Sequence, residues 1–169
     1  QAVPPEAGAI PGLTRQDGDV IIGTLAGLRA VKNLPRLVRA VAALPAHVKL
    51  VIVGEGPERD NIAAEATALG MADRLLMPGF LAEPHRYVGH FDIFALSSDS
   101  EQFPISLVEA MAAGLPAVAT DVGDVKAMVA YENRDLIVPA NEEASFAAAL
   151  DLLSWDATMR RQLGSANAE

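Results

Sequence analysis

The stretch VIIGTLAGLRAVKNLPRLVRAVAALPAHVKLVIVG, residues 20–54, decides the fold. Its first seven residues form a continuous apolar, β-rich run, and residues 48–54 form a second. Between them, Leu34, Leu37, Val38, Val41 and Leu44 recur at helical spacing, so residues 33–44 read as an amphipathic helix. Pro35 falls in its first turn, where a missing N–H does no harm. Two predominantly apolar strands, joined through a helix, make a βαβ unit whose strands run parallel and are covered on both faces.

The alternation continues outward. Residues 57–70 read as a helix stopped by Gly70, 74–78 as a short strand, and 83–89 as a short helix. Strands follow at 91–97, 116–120 and 136–139. Helices follow at 104–113, 124–130, 142–153 and 156–168. About six parallel strands with helices on both faces predict an α/β, Rossmann-like doubly wound sheet formed by residues 20–169 as a single domain. Residues 1–19, punctuated by Pro4-Pro5, Pro11-Gly12 and Asp17-Gly18-Asp19, read as a linker or interdomain remnant. The first residue is Gln1, which points to a piece of a longer protein.

Composition bounds the function. The 169 residues carry no cysteine, which excludes disulfides and thiolate chemistry and fits a reducing, cytoplasmic compartment. No apolar run approaches the ~20 residues of a membrane span. The net charge of −9 argues against nucleic acid as a general partner. The charge is uneven, however. Residues 1–50 hold six bases against three acids, and the remainder of the chain holds seven bases and nineteen acids. A locally basic segment in an acidic chain points to a small anionic ligand. Its alternative is a solvated helix face.

In a doubly wound sheet, ligands bind at the carboxyl ends of the strands. The first such loop is GLRAVKN, residues 27–33. Gly27 allows a tight turn, and Arg29 and Lys32 sit where a helix begins. Free N–H groups there already favour anions, and two cations complete a phosphate site. Both could instead be solvated surface residues. The second loop, GEGPER (54–59), lacks the third glycine of a dinucleotide fingerprint and reads as a tight strand-to-helix turn. Asp17-Gly18-Asp19 lies before the first strand and is read as a turn rather than a metal motif. His47, His85 and His90 have no metal-ligand spacing, and no Gly-x-Ser-x-Gly elbow is present.

The fourth loop opens SSDSEQFPISLVEAMAAGLP, residues 97–116, with Glu101 and Glu109 in an otherwise apolar run. Glu101 falls in the loop and Glu109 one to two turns inside the next helix. Amide N–H groups near 103–106 face the same crevice. Carboxylates accept from sugar hydroxyls and amides donate to phosphate, so the set suits a ligand with both. Ser106-x-x-Glu109 also fits a capping box, which is the alternative reading of Glu109.

Here the sequence resembles the C-terminal domain of group 1, family 4 retaining glycosyltransferases of the GT-B fold, over about residues 20–155. The resemblance rests on Ser98, Glu101, Phe103, Glu109, Ala110, Ala112, Gly114 and Pro116, with weaker matches at LVIVGEGPER, Pro78-Gly79-Phe80 and Lys32-Asn33. It implies one half of a GT-B architecture, with an N-terminal Rossmann-like domain as the missing partner and a nucleoside-diphosphate sugar as donor substrate, without metal or other cofactor. It implies catalytic roles for Lys32 and Arg29 on the diphosphate and for Glu101 on the transferred sugar. Glu109 would bind the ribose. The backbone of Phe103, Pro104, Ile105, Ser106 and Leu107 would hold diphosphate and sugar, and Gly27, Gly54, Gly79, Phe80 and Leu81 would line the rest of the donor pocket. Through the missing domain the enzyme could meet the inner face of a membrane. Two positions depart from the family: the Gly-Arg pair that usually precedes the Lys is replaced, with the Arg at 29, and Gln102 stands where Gly is common. The fragment alone is expected to bind donor weakly and transfer nothing. The competing expectations are a nucleotide-sugar epimerase or phosphorylase half on the same fold, or a non-catalytic α/β interaction module.

Overall fold

A computed structural model describes residues 9–169. Six strands form one all-parallel sheet: β1 (Val20–Leu25), β2 (Val48–Val53), β3 (Leu75–Gly79), β4 (Ile93–Leu96), β5 (Ala117–Thr120) and β6 (Ile137–Val138), in the order β3-β2-β1-β4-β5-β6. The helices are α1 (Leu34–Ala42), α2 (Arg59–Ala68), α3 (Ile105–Ala112), α4 (Val125–Met128), α5 (Glu143–Trp155) and α6 (Ala157–Ala168). This is the Rossmann-like, doubly wound architecture read from the alternating runs, with the order reversing between β1 and β4.

Successive strand residues point to opposite faces, so each strand feeds two cores. Ile22, Leu50 and Ile52 pack with Leu37, Val38 and Val41 of α1, Ile62 of α2 and Phe146 and Leu150 of α5. Ile21, Val51 and Phe94 pack on the other face with Leu107 and Ala110 of α3 and Val125 of α4. All of these side chains are buried, each stabilising by roughly 1.5–3 kcal/mol if it is a full-sized aliphatic or aromatic. The register pairs Val20 with Val48 through Leu25 with Val53, so β1 and β2 end level at their carboxyl edge.

The helix expected at 83–89 is instead two 3-10 turns, Pro84–Arg86 and Val88–His90. Glu83, just before them, takes a left-handed conformation (φ 54°), and Tyr87 separates the two turns, so no continuous α-helical run forms.

Of the segment expected as a linker, residues 1–8 lie outside the described residues. From residue 9 onward the chain is irregular but docked. Ile10 is buried beside Ile21 and Val51. Arg15 pairs with Asp92, whose carboxylate also accepts from the Ile21 N–H. Lys49 bridges the Asp19 carboxylate at 2.9 Å and the Thr14 carbonyl at 3.2 Å. Arg74, partly buried, donates to the carbonyls of Val41, Leu44, Pro45 and Val48, tying the α1–β2 connection to the start of β3. Its burial pulls the guanidinium pKa below the ordinary value.

Candidate functional site

The loops that follow β1, β2, β3, β4 and β5 gather at one edge of the sheet. The loops after β1 and β2 are laced together by backbone bonds: Leu28 N–H donates to Glu55 and Glu58 N–H to Leu28. Gly54 donates to the Gly79 carbonyl at 3.0 Å and holds φ +146°, and a Cβ there would lie 1.8 Å from the Ala26 carbonyl oxygen. Only glycine fits. The three loops therefore present a flat backbone wall, from which Phe80 projects at 75% exposure while Leu81 packs inward.

Lys32 ends the 3-10 turn Ala30–Lys32, directly before α1. Its Nζ lies 2.5 Å from Oε1 of Glu101, and both side chains are largely buried, at 19% and 10% exposure. The Ser98 hydroxyl donates to the same oxygen at 2.8 Å. The structure thus joins two residues 69 positions apart, because β1 and β4 are neighbours and their following loops touch. Breaking a well-buried pair by removing one partner costs about 3–5 kcal/mol, so neither charge is there for solubility. Arg29 is exposed, folded over Gly27, with no side-chain partner among the described residues.

Glu109 sits on α3, half-buried, and no hydrogen-bond or ion-pair partner of its carboxylate is found among the described residues. The capping-box alternative fails on geometry. Pro104 is the N-cap of α3, which makes Ser106 the second helical residue, and no side chain caps that end. The first turn of α3 therefore keeps free donors. Pro104 has no N–H, and that of Leu107 is bonded to the Pro104 carbonyl at 3.2 Å. The N–H groups of Phe103, Ile105 and Ser106 have no partner among the described residues. The side chains divide: Phe103 and Ile105 are exposed, whereas Leu107 is fully buried in the core.

Two supporting residues were not singled out from sequence. Thr120, at the end of β5, donates to the Ser98 carbonyl at 2.6 Å. Gly123, after β5, adopts φ +53°, with the Glu101 carbonyl oxygen 2.1 Å from where a Cβ would stand. Its signal was only its place in a loop after a strand. Among the described residues, no three His, Asp or Glu come together as a metal site.

One edge therefore presents a cation, two carboxylates, a glycine-lined wall and the donor-rich start of a helix. That arrangement, at the topological switch point, defines a Rossmann-like domain with a polar site at its carboxyl edge. The family model described as glycosyl transferases group 1 matches residues 9–169, and the chain belongs to that family. It is 30% identical over 144 residues to the N-acetylgalactosamine-N,N'-diacetylbacillosaminyl-diphospho-undecaprenol 4-alpha-N-acetylgalactosaminyltransferase of Campylobacter jejuni, covering 85% of this chain and 40% of that protein. It is 32% identical over 166 residues to the D-inositol 3-phosphate glycosyltransferase of Stackebrandtia nassauensis, covering 88% and 37%. The chain thus spans about two fifths of the length of these relatives. In fold it matches Anabaena HepE in complex with UDP (TM-score 0.82, 24% identity, 89% of this chain and 43% of that one). It also matches the C-terminal domain of a group 1 glycosyl transferase, LpcC, of Francisella tularensis (TM-score 0.78, 21% identity, 88% and 82%). The fold is that of the C-terminal half of a GT-B enzyme.

Proposed function

We propose that this chain is the donor-binding half of a retaining, metal-independent glycosyltransferase that takes a sugar from a nucleoside-diphosphate sugar. The observation that carries the reading is the buried Lys32–Glu101 pair beside an unpartnered Glu109 and the free N–H groups that open α3. Such a set has a partner for each part of the donor. Glu109 accepts from the ribose hydroxyls, and the N–H groups of Phe103, Ile105 and Ser106 donate to the diphosphate, favoured by the helix dipole. Lys32, joined by the exposed side chain of Arg29, neutralises the charge that grows on the diphosphate as the sugar–oxygen bond breaks, which is transition-state stabilisation by a fixed cation. Glu101 faces the transferred sugar. Gly54, Gly79 and Phe80 line the base.

The acceptor site belongs to an N-terminal Rossmann-like domain, with residues 1–19 leading from it into residues 20–169. The proportion of the relatives' length that the chain spans supports that reading. No helix among the described residues is long and apolar enough to cross a membrane. The lack of cysteine fits a cytoplasmic site of action, with any approach to the membrane's inner face made by the other domain.

Calorimetric titration of UDP, GDP and ADP into the wild type and Glu109→Ala tests the reading. UDP comes first because HepE carries it. Millimolar or tighter binding of one diphosphate, weakened in Glu109→Ala, is expected. Equal affinity in both proteins refutes the role of Glu109, and no binding of any of the three refutes the donor-binding reading.

A further inference from the structure

We infer that Arg36 and Asp99 are positioning residues that clamp the turn carrying Lys32 to the loop carrying Glu101, and so fix the cation where a diphosphate would need it. The inference rests on the proposed donor site. The bonds themselves and the placement of Arg36 do not depend on that site.

Five hydrogen bonds join residues 31–36 to residues 97–99. The Ser97 hydroxyl donates to the Lys32 carbonyl at 2.9 Å, and the Asp99 N–H donates to the Val31 carbonyl at 2.8 Å. The Asn33 amide and one Arg36 Nη donate to the same Asp99 carboxylate oxygen, at 3.1 and 3.0 Å. The other Arg36 Nη donates to the Ser97 carbonyl at 2.9 Å. Lys32 therefore has its own backbone and both neighbouring residues held by the segment that, two residues later, becomes Glu101. Asn33 takes a left-handed conformation (φ 44°) to end the 3-10 turn and begin α1, so the turn is not set by regular helix bonds alone.

Arg36 is otherwise hard to account for. It stands in the first turn of α1, where a cation opposes the helix dipole. Its side chain is only 11% exposed, so it does not serve the surface. Both Nη groups are spent on one loop, in the fork geometry that only arginine offers. Asp99, at 51% exposure, could be lost without unpacking the core.

A positioning role makes a prediction that a merely structural role does not. The effect of Arg36 on diphosphate binding must pass through Lys32. A double-mutant cycle measures this, using whichever of UDP, GDP and ADP binds the wild type, with its parent nucleoside as control. Arg36→Met is expected to weaken the diphosphate about 10-fold in the wild-type background and less than about 2-fold in Lys32→Met, because contacts in one network are not additive. Nucleoside affinity should not change in any variant. Equal losses in both backgrounds, or an equal loss for nucleoside and diphosphate, overturn the inference. Asp99→Asn, tolerant in folding, should give a smaller loss in the same pattern, and an additive loss there counts against the clamp even if Arg36→Met does not fold.

A ligand-free arm separates this inference from the donor reading. The Lys32 ammonium ¹H–¹⁵N signal, slowed in exchange by its fixed pair, should be visible in the wild type and lost in Arg36→Met. If it persists unchanged, the clamp is refuted. A wild type that binds no diphosphate yet loses this signal in Arg36→Met refutes the donor reading and leaves the clamp standing.

Discussion

Replacing Gly123 by alanine puts the geometry of the site under direct strain. The residue holds φ +53°, and its added Cβ would sit 2.1 Å from the Glu101 carbonyl and 2.7 Å from that of Gln102. Ordinary carbon–oxygen contact requires the Glu101 carbonyl to retreat by roughly 1 Å. The left-handed conformation itself costs alanine about 1–2 kcal/mol. Displacing packed backbone adds about 1–3 kcal/mol. A total near 3 kcal/mol lowers the melting temperature of a chain this size by about 6–12 °C. Gly70→Ala is the matched control, with φ +71° and nothing within 4 Å of the new Cβ. It bears only the conformational cost, about 1–2 kcal/mol. Moving Glu101 also pulls the oxygen that holds Lys32, so diphosphate affinity should fall about 10-fold or more in Gly123→Ala and stay unchanged in Gly70→Ala, 1.4 kcal/mol being tenfold. Denaturant unfolding and calorimetry read both effects. If the two variants match in stability and in affinity, the Gly123 contact does not hold the Glu101 loop.

Three further outcomes follow from single contacts. Glu109→Ala removes a carboxylate with no partner among the described residues, so stability measured by urea unfolding should change by less than about 0.5 kcal/mol, while diphosphate affinity falls about 10–100-fold with the loss of charged hydrogen bonds to ribose. Ser106→Ala should alter neither unfolding nor titration, whereas loss of a true cap would cost about 1 kcal/mol. Asp19 has its pKa lowered by the Gln16 N–H and by the Lys49 ammonium. A carboxylate depressed in the folded state stabilises above its unfolded value of 3.8, and that contribution is lost as pH falls through the folded value. The wild type should lose stability as pH falls below about 4, and melting curves of Asp19→Asn should lack part of that decline.

The sheet and its helices were legible because parallel strands leave continuous apolar runs and helices leave a 3.6-residue period. Leu34 to Leu44 is the clearest instance. Residues 83–89 form short 3-10 turns rather than one helix because Glu83 takes a left-handed conformation and the run breaks at Tyr87. Ser106 misled for a related reason: Ser-x-x-Glu is a local pattern, but Pro104 sets the N-cap two residues earlier, so the serine falls inside the helix. Lys32 and Glu101 were each legible as residues of the sheet's carboxyl edge, since each follows a strand. Their contact with one another was not, because it depends on β4 lying beside β1, a fact of strand order. Arg36 and Asp99 were hidden for the same reason, and in the sequence they are two ordinary charges.

Amide chemical-shift mapping tests most directly where a nucleoside diphosphate binds. A ¹H–¹⁵N titration with the best-binding nucleoside diphosphate should shift Gly27 to Asn33, Gly54, Gly79 to Leu81 and Glu101 to Glu109 together. Shifts confined to the groove at the opposite, amino edge of the sheet, lined by Phe91, Asp92, Pro116, Arg160 and Arg161, would contradict the account.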